Sequence, residues 1–176
     1  MPSSIFWAIN LLRPLRMALR KMIPEKETAI LDVGGGNLQI SLFDKDALVT
    51  TQSLKMGSVR IRQRLKELEK TNTNYAQLVE EFIRNDLTGF KRLYLKDREI
   101  KNLILMGDFL TETIFREERQ DNIITRAEFE KRYENTVYKT ETSLSEEMDI
   151  DPEYAALIVP TMVICKDFMD LFNAEA

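Results

Sequence analysis

The chain has 176 residues, of which 44% are hydrophobic and 31% charged, a length typical of one folded domain and a composition that excludes intrinsic disorder. It contains no histidine and one cysteine, so Cys/His zinc sites, an internal disulfide and histidine-dependent catalytic triads are excluded. A net charge of −4 argues against a nucleic-acid partner, because nucleic-acid-binding domains are normally basic.

The first 24 residues differ in character from the rest of the chain. An apolar run of about eight residues, 5–12, is too short for a bilayer span of about 20 residues and lacks the basic region that opens a signal peptide. We therefore expect no membrane span and a cytoplasmic protein. Arg13, Arg16 and Arg20 follow at helical spacing around Pro14, which predicts an amphipathic helical segment over residues 1–24 with a kink or break. Such a segment could lie on a membrane surface, but we favour packing on the domain or on a neighbour.

The pattern from residue 25 to residue 176 predicts a single domain that begins with three strands. A short apolar run at 28–33 stops at three glycines, and apolar and polar residues alternate over 38–42. A third run follows at 47–54 after a turn. Three strands joined by such short turns predict an antiparallel meander.

Helical periodicity replaces the strand pattern after Gly57. We predict one helix there and a second from Tyr75 to about Asp86, capped by the polar residues before it. A fourth strand, Asn102–Met106, ends at Gly107. Strands followed by helices and then another strand predict an α/β domain with a mixed sheet and helices packed on it.

Three further helices are predicted in the remainder of the chain. Thr125 with Glu128 three residues later is a capping-box pattern that opens the first. Ser143 or Ser145 is expected to open a shorter one. The last begins at Asp151-Pro152 and runs to Phe172, and Pro160 is expected to bend or divide it.

The element most suited to chemistry is the glycine loop, residues 34–37, between the first two predicted strands. Three glycines allow a tight turn whose bare amides can approach a ligand, and successive amides form a concavity suited to phosphate. Asp32, at the end of the strand, could hold magnesium or its water beside that phosphate. The loop is neither a dinucleotide fingerprint nor a P-loop. In isolation, a simple hairpin turn explains the glycines equally well.

The surroundings of the loop add a family resemblance. The runs Leu31–Asn37 and Leu54–Ile61 resemble the D-I-G-G-G-S-T-E and L-x-x-G-x-V-R-L motifs of the exopolyphosphatase / guanosine-pentaphosphate phosphohydrolase (Ppx/GppA) family. Further ordered matches are residues 105–109, 124–129 and 152–160, similar to that family's G-G-T loop, I-T-R-E-E-L helix start and P-E-R-A-D-x-I-L-P segment. The resemblance covers residues 28–172.

The resemblance implies the second lobe of a two-lobed protein. The expected fold is a ribonuclease-H-like lobe of the actin-like ATPase / sugar-kinase superfamily, in which two lobes close on phosphates. The family hydrolyses phosphoanhydride bonds of polyphosphate or guanosine pentaphosphate with magnesium. Carried over to this sequence, the expected phosphate-binding residues are Gly34, Gly35, Gly36, Asn37 and Gly107. Asp32 is the expected metal ligand, and we favour a bracing role for Arg60 over direct contact with substrate.

The departures from the family pattern concern catalysis. The family's first lobe and its E-E-A motif, which carries the presumed general base, have no counterpart, so no catalytic residue is assigned. Asn37 replaces a serine, and Asp108 replaces a loop glycine, which places a carboxylate where an anion would approach. We therefore expect no unaided turnover. The missing lobe or a second copy would pack through residues 5–23.

Three interpretations remain open. The chain could be a lobe of a phosphoanhydride hydrolase that needs its partner lobe. It could instead be a non-catalytic module that binds polyphosphate or a guanosine alarmone. In the third interpretation it is a scaffold domain in which the loop has no ligand.

Overall fold

The computed structural model describes residues 27–44, 47–69, 74–96, 98, 100, 102–107, 109–110, 114 and 124–174. The predicted N-terminal helical segment, with its proposed packing surface at residues 5–23, lies outside the described residues, as does Asp108.

A four-stranded mixed sheet forms one layer of the described structure. Its strands are β1 (Thr28–Val33), β2 (Leu38–Asp44), β3 (Ala47–Leu54) and β4 (Asn102–Met106), in the order β3-β2-β1-β4. The first three pair antiparallel, which confirms the predicted meander, and β4 lies parallel to β1. β1 is therefore hydrogen-bonded to a strand on each side.

The helices of the described ranges are α1 (Ser58–Glu69), α2 (Tyr75–Tyr94), α3 (Arg126–Val137), α4 (Glu141–Met148) and α5 (Pro152–Phe172). The capping box at Thr125 and Glu128 is present at the start of α3, and Asp151 caps α5 by accepting a hydrogen bond from the Glu153 amide. Both helix starts were predicted correctly. None of the helices in the described ranges is long and apolar enough to cross a membrane.

Two boundary predictions were wrong. The helix α2 continues past Asp86 to Tyr94, because Leu87 and Phe90 are buried and extend its apolar face. The helix α4 does not begin at Ser143 or Ser145: its N-cap is Thr140, whose side chain accepts from the Ser143 amide. Of the two expectations for Pro160, a bend or a division of the last helix, the division is wrong, because α5 runs unbroken from Pro152 to Phe172.

The core lies between the sheet and the helices. Alternate residues of β1 and β2 point into it, and all five helices contribute buried side chains to the same cluster. The helix α5 is the most apolar, and its buried stretch includes the single cysteine, Cys165. On the opposite face of the sheet, Ile30 and Phe43 form a second buried pair. Successive residues of β1 thus belong to opposite faces of the sheet, as expected for a strand, although both faces carry buried side chains.

Candidate functional site

The strands β1 and β4 end at the same edge of the sheet. Because they are parallel and Asp32 pairs with Met106, the residues that follow each strand become neighbours. Gly34–Asn37 follows β1, and Gly107 follows β4. A Cβ atom on Gly107 would lie 2.7 Å from the carbonyl oxygen of Val33, and its φ of +143° favours glycine. The fold therefore brings both predicted glycine sites together.

The glycine loop Gly34–Asn37 is a tight connection between β1 and β2. The amide of Gly34 donates to the carbonyl oxygen of Asn37 at 3.1 Å, which closes the turn. Gly35, Gly36 and Asn37 are exposed, whereas Val33 and Leu38 on either side are buried. The exposed tip is thus carried on two buried strand ends.

The carbonyl groups of the loop are anchored to the start of α1. The amide of Ser58 donates to the carbonyl of Gly34 at 3.2 Å, and the amide of Arg60 donates to the carbonyl of Gly35 at 3.0 Å. The carbonyl of Gly36 accepts from the amide of Gly57 at 3.4 Å and from Nε of Arg60 at 2.8 Å. The first amides of a helix have no hydrogen-bond partner within the helix. The loop carbonyls accept from these amides, so the hydrogen-bonding groups of both segments are paired.

This anchoring decides where the loop amides point. In a planar trans peptide the N–H points away from the C=O of the same unit, and the described residues contain no cis peptide. The amides of Gly35, Gly36 and Asn37 follow the three anchored carbonyls and are therefore turned away from α1. They donate no backbone hydrogen bond within the described ranges. Three exposed amides in succession are thus available to an anion.

Gly57 allows α1 to approach the loop this closely. A Cβ atom at this position would lie 2.3 Å from the carbonyl oxygen of Gly35 and 2.4 Å from that of Gly34, far inside van der Waals contact. By contrast, a Cβ atom on Gly36 would meet nothing within 4 Å. Sequence reasoning quoted Gly57 within a motif but assigned it no role, and it did not find the contribution of the Ser58 amide. Both act through the backbone, at a separation of more than twenty residues.

Asp32 lies one residue before the end of β1 and is half-buried. Its neighbours Leu31 and Val33 point into the core, so its side chain is on the opposite face of the sheet. Within the described ranges no three Asp, Glu, Cys or His residues form a possible metal site. A single carboxylate, Asp32, does not fit a metal that is coordinated entirely by protein side chains. It does fit magnesium, which keeps several waters and binds through one or two carboxylates together with phosphates.

This chain is similar in sequence to one protein family and in fold to several solved structures. The model of the Ppx/GppA phosphatase family matches residues 15–176. No curated protein sequence matches the chain at a significant level. Among solved structures, a Ppx/GppA family member from Aquifex aeolicus is similar with a TM-score of 0.67 and 16% identity, over 93% of this chain and 55% of that one. An exopolyphosphatase from Cytophaga hutchinsonii is similar with a TM-score of 0.70 and 14% identity, over 91% of this chain and 54% of that one.

The chain therefore spans about 55% of the length of the structures that it matches. Its mixed sheet and helical layer are those of a ribonuclease-H-like lobe of the actin-like fold, as the sequence resemblance implied. With a family model that covers nearly all of the sequence, the chain belongs to the Ppx/GppA phosphatase family.

Proposed function

We propose that the chain is a phosphoanhydride-binding lobe that holds phosphate groups of polyphosphate or guanosine pentaphosphate on its glycine loop. The observation that carries this proposal is the anchoring of the loop through its carbonyls, which leaves the amides of Gly35, Gly36 and Asn37 directed outward. Gly34 closes the turn, and Gly107, which has no Cβ atom, lets the end of β4 lie against Val33 beside the loop.

Arg60 has a bracing role in this proposal. Its guanidinium and its backbone amide both bind loop carbonyls, on the side of the loop away from the outward amides. A planar guanidinium holds an oxygen in a fixed direction better than an ammonium group does. Arg60 therefore positions the loop and does not contact the phosphate.

Asp32 would hold magnesium in the bound state. The Asp32 carboxylate would be the protein ligand of the ion, and magnesium, when bound, would supply positive charge that neutralises the phosphate. Asp32 would hold this ion at the end of β1, beside the loop. We propose this site from the chemistry of the donors and from its position.

Turnover would need groups that this lobe does not supply. Phosphoryl transfer depends on positioning and on charge stabilisation around the whole phosphate, and hydrolysis also uses a base for the attacking water. This chain covers only 55% and 54% of the two matched structures, which supports a second lobe as the source of these groups. A non-catalytic binding module is the alternative, and it differs only in whether such a partner exists.

The test uses Gly36, where the structure leaves room for a side chain. Gly36→Asp places a carboxylate beside the outward amides, and Gly36→Asn is the uncharged control of nearly equal size. We expect Gly36→Asp to weaken the binding of tripolyphosphate at least about tenfold with or without magnesium, because like charges in contact cost several kcal/mol. Gly36→Asn should bind as the wild type does. Both variants should unfold at the wild-type temperature.

Titration calorimetry and an assay of released phosphate, on the same samples, separate the interpretations. Equal affinity of the two variants would show that the loop is not the binding site. Saturable binding without phosphate release supports a lobe that needs a partner. Phosphate release by the chain alone would refute the need for a second lobe. Absence of any binding by the wild type would leave the scaffold interpretation.

A further inference from the structure

A pair of aromatic rings, one half-buried and one exposed, lies close to the end of the sheet that carries the glycine loop. Phe109 follows Gly107 by two residues, within about 7 Å along the chain. Its ring stacks against that of Tyr154 in the first turn of α5, with centroids 6.3 Å apart and an angle of 16° between the planes. Neither ring takes part in the glycine loop or in its anchoring.

The two rings differ in exposure. Phe109 packs against the main core, whereas Tyr154 is 59% exposed. The tyrosine ring therefore lies beside a half-buried ring of nearly the same orientation, and more than half of Tyr154 is open to solvent. An exposed ring in such a nearly parallel pair offers a flat surface on which another planar ring can stack.

The charge around Tyr154 narrows the choice of ligand. Asp151 and Glu153 precede it at the start of α5, both exposed, and Asp151 accepts a hydrogen bond from the Glu153 amide at 2.8 Å. Two carboxylates repel a phosphate group from this position. They do not repel a neutral heterocycle, and they can accept hydrogen bonds from its amino groups.

We infer that Tyr154, supported by Phe109, is a stacking platform for the purine base of a nucleoside polyphosphate whose phosphates lie on the glycine loop. This inference rests on the proposed function, and it deepens it by assigning a residue that distinguishes a nucleotide ligand from inorganic polyphosphate. The base and the phosphates would be held by separate parts of the same edge of the sheet. Tyr154 is a specificity-determining residue in this arrangement and takes no part in the chemistry.

The experiment compares two ligands with the same number of phosphates, GTP and tripolyphosphate, both with magnesium. Tyr154→Ala should weaken GTP binding about tenfold, the usual effect of removing one base-stacking ring, and leave tripolyphosphate binding unchanged. Tyr154→Phe keeps the ring and should restore GTP binding. Tyr138→Ala removes a different tyrosine, 78% exposed at the end of α3, and should change neither affinity.

The possible results separate this inference from the proposed function. If Tyr154→Ala weakens both ligands equally, or neither, the platform is refuted. If the wild type binds tripolyphosphate but not GTP, the platform is refuted and the phosphate loop stands. If the wild type binds neither ligand, both proposals fail.

Discussion

The close contact between Gly57 and the glycine loop leads to a specific prediction about stability and binding. In Gly57→Ala the added methyl group would lie 2.3–2.4 Å from backbone atoms of Gly34 and Gly35. Backbone atoms cannot rotate away as the end of a side chain can. Either the loop or the start of α1 must therefore move.

The magnitude follows from the hydrogen bonds that this movement would break. Four bonds join the loop carbonyls to Gly57, Ser58 and Arg60, and each contributes about 1 kcal/mol. Overpacking a tight site typically costs about 1–3 kcal/mol. Because the methyl group could be accommodated with part of this network intact, we expect Gly57→Ala to lower the free energy of unfolding by about 3 kcal/mol. For a chain of this size that corresponds to a fall in melting temperature of about 6–12 °C.

Urea unfolding and tripolyphosphate titration on the same preparation test this prediction. The control is Gly36→Ala, because the methyl group there meets nothing within 4 Å and should change stability by less than about 1 kcal/mol. Gly57→Ala should also lose tripolyphosphate affinity, since the outward direction of the amides depends on the anchored carbonyls. A Gly57→Ala protein with wild-type stability and affinity would refute this account of the loop.

Two predictions concern the helical layer. Burial, and next the charge of Glu80, raise the pKa of the Asp167 carboxyl on α5 to about 7, above its ordinary value of 3.8. Ionisation of this group therefore lowers stability progressively as the pH rises from about 4 to 7. We expect Asp167→Asn to be more stable than the wild type by about 1–2 kcal/mol at pH 8, after allowance for solvent screening, and to show no such gain at pH 4. Urea unfolding at the two pH values measures this, and parallel pH profiles would contradict it. Arg126 donates to the carbonyls of Met169 and Ala174, both at 2.8 Å, and to Asp170 at 2.6 Å. Lysine keeps the charge but not the planar fork, so Arg126→Lys should lower the free energy of unfolding by about 2 kcal/mol. The control is Arg84→Lys, in an exposed pair with Glu80, which should leave the free energy of unfolding almost unchanged. An unchanged urea midpoint for Arg126→Lys would show that these hydrogen bonds of Arg126 to the C-terminal end of α5 do not stabilise the fold.

The strands were predictable because their signal is local. Alternation of apolar and polar residues marked β2, and short turns implied the meander that the sheet shows. The end of α2 was not predictable in the same way, since Thr88 and Gly89 weaken the helical pattern after Asp86. What extends the helix is the packing of Phe90 against Phe168 and Phe172 on α5, which no local pattern reveals.

The candidate site also has parts that the sequence predicts and parts that only the fold reveals. The glycine triplet is contiguous and was visible in the sequence, as was Gly107 at the end of a predicted strand. The bonds from Ser58 and Arg60 to the loop join backbone groups far apart in the chain. A sequence cannot show which backbone amides make such bonds, because every residue except proline has a backbone N–H donor. The importance of Gly57 likewise depends on what lies opposite it, and only the fold supplies that.

The anchoring of the glycine loop through its carbonyls has a thermodynamic consequence for any anion that binds there. The conformational entropy of the loop is lost when the domain folds, and a ligand that meets the outward amides displaces none of the internal backbone bonds described above. Preorganisation of this kind reduces the ordering cost of association. Affinity at this loop should therefore depend more on the charge and shape of the incoming phosphate than on any rearrangement of the protein.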